Sequence, residues 1–414
     1  MPAVPNRPRR SRLGTSLLFA VAILLVSETF NSHLVAQTVT VLHTFTGASG
    51  DGFNPLAPLI AAPNGRLYGT TYSGGDTNCG IGGCGTVFEE ELSGGQWNYS
   101  TIYEFTGGVD GCCQTSTLTR DKAGRLYGVT TGGSFGRIFR LTPGNPWHFE
   151  ILYSFQNQSD GEYPLTPLFI DSTGSIFGAT QSGSLNNCPN GCGAIFQIMP
   201  PAKKGGAWTE KTLYQFPGGA NGGIPTTLIM DASGVIFGTT NYDGIVNGSC
   251  PNGCGVAFRL QPSQGGTWTY SVIYTFNGHP DGNAFGSLFE DATGNLFGLA
   301  FQINKGEEIF ELTPSQSGSW TRTIAYVPKH GISTMTPGVN GVIYGVETGD
   351  FDINAGTLYQ LTPQTGGGYT FKMLANFNKG PDRNPDAILS APSGTLYGTL
   401  SGGSSDGGMV ISVH

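Results

Sequence analysis

An acid or amide followed by glycine recurs along the chain at Asp51-Gly52, Asp110-Gly111, Asp160-Gly161, Asn221-Gly222 and Asp281-Gly282, with Asp382 followed by Arg383 as a degraded copy. Oxygen ligands presented at regular intervals suit a hard cation such as Ca²⁺, and equally sugar hydroxyls or a basic peptide. The same dipeptide is also turn chemistry, because Asp bonds nearby amides and Gly accepts a positive φ. Cysteines form the second reactive set. Cys79/Cys84, Cys188/Cys192 and Cys250/Cys254 are close pairs, the last two within Cys-Pro-Asn-Gly-Cys-Gly, and Cys112 and Cys113 are adjacent. Zinc would need ligands converging from separate segments, and no histidine accompanies these pairs, so three intraloop disulfides are expected. Cys112 and Cys113 fit two alternatives, a vicinal disulfide or separate bridges to Cys79 and Cys84. No Gly-x-Ser-x-Gly, His-Glu-x-x-His or P-loop pattern occurs, and the six histidines share no spacing.

Composition narrows what can carry these groups. Of 414 residues, 66 are glycine and only 12% are charged, against roughly 7% and 25% in ordinary domains. The glycines have no three-residue period, which excludes collagen. Hydrophobics at 38% and aromatics at 11% are too abundant for a disordered chain. A net charge of −8 with no basic block after Arg12 argues against a nucleic-acid partner. Arg7, Arg9, Arg10 and Arg12 precede an apolar run from Leu13 to Val26, then polar residues and Leu34-Val35-Ala36. This is the layout of a secretory signal peptide over residues 1–36, too short to span a bilayer comfortably. Arg9-Arg10 also admits twin-arginine export. No second apolar stretch follows, so a secreted or periplasmic chain without a transmembrane segment is expected.

What positions the candidate groups is an internal repeat. An aromatic-Gly pair recurs at Tyr68-Gly69, Tyr127-Gly128, Phe177-Gly178, Phe237-Gly238, Phe297-Gly298, Tyr344-Gly345 and Tyr397-Gly398. All five tryptophans (Trp97, Trp147, Trp208, Trp268, Trp320) occupy one place in the unit. Tyr and Phe follow the first four at fixed offsets, as in Tyr274 and Phe276 after Trp268, and Tyr326 and Pro328 follow Trp320 as a degraded copy. The fourth copy reads as Leu228-Ile229-Met230, an Asp231-to-Gly234 turn, Val235 to Thr240, Gly255 to Leu260, and Trp268 to Phe276. The last segment alternates with period two, as a half-buried strand does. Four strands per unit without any helical pattern predict a β-propeller, and seven copies predict seven blades in one domain over 37–414. The seventh unit ends after its third strand, whereas Val39 to Phe45 matches the fourth strands elsewhere. The N-terminal strand is therefore expected to close the last blade and leave no open edge.

The unit resembles the GloVer tandem repeat. The matching stretches are Phe45 to Pro55, Leu59 to Thr71, and Gly74-Gly75 through Gly85-Thr86-Val87-Phe88. That resemblance implies an exported bacterial protein, often with an interchangeable C-terminal anchor, and no transferable activity. In a propeller, loops from fourth to first strands share a face with loops between second and third strands. The acid-Gly set and all the cysteines fall there, whereas the Asp-x-x-Gly turns at Asp121, Asp171, Asp231 and Asp291 fall on the opposite face as structural turns. The Trp/Tyr/Phe strands are expected to pack between blades. The expected function is non-enzymatic binding of a glycan or protein at the Asp- and Cys-bearing face, by a monomer, with no cofactor unless Ca²⁺ bridges the acids. The alternatives are a carbohydrate-active hydrolase or lyase using those acids, and a purely structural surface repeat.

Overall fold

In a computed structural model, each aromatic-Gly pair lies in the second strand of a four-stranded antiparallel blade, and seven blades form a propeller. The structure describes residues 37–80, 82–113, 116–132, 135–156, 160–183, 191–279, 281–302, 306–329, 331–348, 356–377, 384–401 and 407–414. The expected signal peptide (1–36), Cys188 and Asp382 lie outside these. Among the described residues there is no α-helix, only three short 3-10 turns such as Gly219–Asn221. Blade four shows the pattern: Gly223–Met230, Ile236–Tyr242, Val256–Pro262 and Trp268–Thr275, counted from the channel outward. Blade three departs from it, with its first strand interrupted into Glu162–Pro164 and Phe169–Ile170. Blade seven closes as expected. Val39–Thr44 pairs antiparallel with Met409–Val413, from Val39 opposite Val413 to Thr44 opposite Met409.

The motif glycine is required by packing rather than by φ. A Cβ on Gly238 would lie 2.5 Å from Phe258 Cζ and 2.7 Å from Leu228 Cδ2. Phe258, on the third strand opposite Gly238, is fully buried across that gap. The same clash recurs between Gly69 and Phe88, Gly128 and Phe139, and Gly298 and Phe310. Gly255, at the start of the third strand, has a φ of 75°, and a Cβ there would sit 1.9 Å from Thr240 O. Its carbonyl accepts the N–H of Phe276, which follows the fourth strand. Aromatic-Gly and Gly-x-x-Phe are thus two halves of one packing device. Gly238→Ala is expected to cost about 1–3 kcal/mol by overpacking, read as a lowered denaturant midpoint with an unchanged slope.

Blades adhere through aromatic pairs, as the strand pattern predicts. The Trp of one blade packs edge-on against the aromatic of the preceding blade's aromatic-Gly pair: Trp147 on Tyr68, Trp320 on Phe237, and Trp97 on Tyr397 across the closure. Farther along the fourth strand, side chains stack face to face, as in Tyr103 on Phe149 (4.4 Å) and Tyr214 on Tyr270 (4.0 Å). His43 stacks on Tyr99 at 3.7 Å to complete this seam where the chain closes on itself. Offset and edge-to-face pairs each add roughly 0.5–1.5 kcal/mol beyond their buried area. Nearer the channel, hydroxyls bridge neighbouring inner strands, with Ser116 donating to Thr166 O and Thr399 to Ala57 O.

Candidate functional site

The acids of the fourth-to-first-strand loops are drawn into their own turns. Asp110 accepts from Thr106 N (2.8 Å), Thr106 Oγ1 (2.6 Å) and Tyr103 OH (3.0 Å), and its residue is 3% exposed. Asp160 repeats this with Gln156 N and Tyr153 OH at 4% exposure. Asp51 accepts from Thr46 N and Oγ1 and lies 3.1 Å from His43 Nε2. Burial would raise the Asp51 pKa, but the Thr46 and His43 hydrogen bonds outweigh it and hold this carboxyl below its ordinary value. Asp281 faces Arg322 at 3.8 Å, and Arg322 also bonds the buried Glu308. Asn221 ends a 3-10 turn, exposed, with its carbonyl accepting Tyr270 OH. The described members are therefore tied back toward the fourth strands, and Asp382 is outside the described residues. Among the described residues no group of three His, Cys, Asp or Glu is placed to hold a metal ion.

Cysteines clasp the same face. Cys79 is bonded to Cys84, Cys250 to Cys254, and Cys112 to Cys113, the vicinal one of the two expected alternatives. Cys192 is disulfide-bonded as well, while Cys188 lies outside the described residues. Two of the clasps abut a glycine in the loop leaving their blade: a Cβ on Gly107 would lie 2.3 Å from Cys79 Sγ, and one on Gly278 2.6 Å from Cys250 Sγ. Such short loops add local rigidity more than global stability. A further feature of this face is a left-handed backbone at Asn54, Cys113, Tyr163 and Ile224, each three residues after the acid or amide of the Asp-Gly register. Their N–H groups bond the preceding blade's loop, as in Cys113 to Cys84 O and Ile224 to Cys192 O. These bonds keep non-glycine residues in a region they rarely occupy. The signal in sequence was a fixed offset from each acid, but nothing in the residue types marked it.

The model of the Gloeobacter/Verrucomicrobia repeat matches residues 29–188 and 135–346. The chain belongs to that family. No curated protein matches it in sequence. Among solved structures, a streptogramin B lyase shares the fold at 13% identity and a TM-score of 0.55, covering 91% of this chain and 97% of its own. An ancestral GH74 enzyme aligns at 12% identity and a TM-score of 0.57, over 90% of this chain and 48% of its own. A protein from Lactobacillus plantarum aligns at 13% identity and a TM-score of 0.53, over 84% of this chain and 99% of its own. At these identities the likeness is one of fold.

The two faces of this Gloeobacter/Verrucomicrobia repeat propeller differ in what they offer a ligand. On the first-to-second-strand face, each Asp-x-x-Gly turn is self-contained: Asp231 Oδ1 accepts from Ser233 N, Ser233 Oγ and Val235 N. Two cavities of about 650 and 510 Å³ open among the turns of blades two to four, with Arg120, Lys122 and Asp171 in their walls. The opposite face carries the rings. Among the described residues five Phe or Tyr side chains are 37–41% exposed, and four of them (Tyr72, Tyr163, Tyr242, Phe301) lie on the disulfide-clasped face. Sequence reasoning passed over these four because each sits outside the Trp/Tyr/Phe strand pattern.

Proposed function

We propose that this propeller is an exported, non-enzymatic binding protein that engages a glycan or protein through its disulfide-clasped loop face. The observation that carries the reading is the concentration of exposed aromatic rings on the face whose loops are clasped by disulfides. A preformed surface with rigid amphipathic rings loses little conformational entropy on binding. The basic N-terminal segment and apolar run support export, as does the disulfide bonding of the seven described cysteines. Catalysis by the Asp-Gly acids is disfavoured, because glycosidases need a free carboxyl pair about 5–10 Å apart. Asp110 and Asp160 are instead buried in their turns. No resident cofactor is needed for this role.

The test is binding of the full chain to arrayed glycans and to proteins of the same cell surface, with and without Ca²⁺. Binding lost in Tyr72→Ala/Tyr163→Ala/Tyr242→Ala together, with the thermal midpoint retained, supports this face. Binding that survives the triple substitution but fails in Lys122→Ala would assign it to the opposite end.

A further inference from the structure

One pocket on the clasped face has a lining that selects a ligand class. It holds about 200 Å³ between blades four and five, walled by Asn241, Tyr242, Ser249, Asn252, Asn283 and Phe301. None of its lining residues carries a formal charge. Tyr242 is 37% and Phe301 41% exposed, each near the end of a second strand, in adjacent blades. Asn283 Nδ2 donates to Asn241 Oδ1 at 3.4 Å, and the structure gives these two amides no other side-chain partner among the described residues. Both N–H donors of Asn241, and one donor and the carbonyl acceptor of Asn283, are thereby left for an incoming group.

The wall does not depend on the ligand for its shape. Cys250–Cys254 closes it, Asp243 N donates to Asn252 O at 2.9 Å, and Cys250 seats against Gly278. Asp243 itself is held left-handed at φ 61° within this clasp.

The geometry points to a neutral sugar ring as the occupant. This rests on the binding reading above and gives it a site and a class. A pyranose offers C–H faces that lie against aromatic rings and hydroxyls that both donate and accept. Neutral amides and hydroxyls answer in kind, whereas an ionic ligand would require a desolvated counter-charge that this lining lacks. The volume admits one ring rather than a drug-sized molecule, whose pockets run to roughly 300–1,000 Å³. A longer glycan would seat one unit here and run across the face.

Titration of the full chain with hexasaccharides of glucose, mannose and xylose, and with a galacturonic acid hexamer, tests this at millimolar ligand. The expected result is binding of at least one neutral hexasaccharide and none of the acidic one. Asn283→Ala and Tyr242→Ala should each weaken it about tenfold, a loss near 1.4 kcal/mol, at unchanged thermal midpoint. Tyr72→Ala, in blade one, should leave it intact. Neutral-sugar binding that ignores Asn283→Ala and Tyr242→Ala but is lost in Tyr72→Ala would overturn this pocket and keep the face. Preference for the acidic hexamer, or binding of arrayed proteins with no hexasaccharide, would overturn the sugar class while the face still binds. Absence of every ligand would overturn both.

Discussion

Replacing Glu90 by leucine is expected to stabilise the protein by roughly 3 kcal/mol at neutral pH and by far less in mild acid. Glu90 lies on the third strand of blade one, opposite Leu67 and Tyr99, and is fully buried. Leu67 and Tyr99 belong to the apolar cluster with Phe45, Leu59, Phe88 and Val410 at the seam where the ring closes. Six other blades put Leu141, Ile198, Leu260, Leu312, Leu361 and Val413 at this place, all buried. Neither carboxyl oxygen of Glu90 has a hydrogen-bond partner. Burial alone pushes its pKa from 4.5 up to about 7. The titratable side chains packed in this cluster are Tyr99 and Tyr397, with His43 stacked over Tyr99, and no charge–charge interaction contributes to the Glu90 shift.

The sign follows from linkage. Because the folded pKa is raised, the folded state keeps a proton that the unfolded chain releases. The contribution is full below about 4.5, falls as pH rises, and is lost through about 7. Urea melts of wild type and Glu90→Leu across that window should diverge with rising pH and then run parallel. A constant difference at all pH values would show that Glu90 is not held neutral by burial. Glu90→Gln, which removes the charge but not the polarity, should recover only part of the gain.

The second large effect is Phe45→Ala, expected to cost about 3–5 kcal/mol. Phe45 is 1% exposed, donates its N–H to Gly408 O at 2.8 Å, and meets Phe88 edge-on at 5.2 Å. It anchors the only strand that joins the two ends of the described chain into one blade. Loss of that anchor leaves the edge of Met409–Val413 open to pairing with another chain. Phe276→Ala deletes the same ring from the middle of the ring of blades and should destabilise comparably without exposing an edge. Limited proteolysis separates the two: Phe45→Ala should be cut first near residues 37–45 and should aggregate on warming, whereas Phe276→Ala should do neither. Equal protease patterns would show that closure does not rest on this side chain.

Much of this architecture is local in the chain, and so was legible in it. A blade is a meander of neighbouring strands. Its turns require Gly and Asp at fixed offsets, its strands alternate with period two, and seven copies amplify each signal. Closure was also legible, because a third strand without a fourth at one end must be completed by the surplus strand at the other. The interblade role of the tryptophans followed from their sharing one register.

The tertiary structure decided what crosses a seam. Asp110 reads as a ligand in sequence, yet Tyr103 and Thr106 converge on it from the strand and loop before it and bury it. Glu90 is one acid in the run Glu89-Glu90-Glu91 until the fold sends Glu89 and Glu91 to Arg66 and turns Glu90 into the closure cluster. Tyr242 and Phe301 are 59 residues apart and meet at one pocket only because adjacent blades repeat the same strand end. Turn chemistry and strand periodicity act between residues a few positions apart, so they are written in the chain. Which polar group is buried, and which ring stays open to solvent, depends on the neighbouring blade some fifty residues away, and only folding brings that blade into contact.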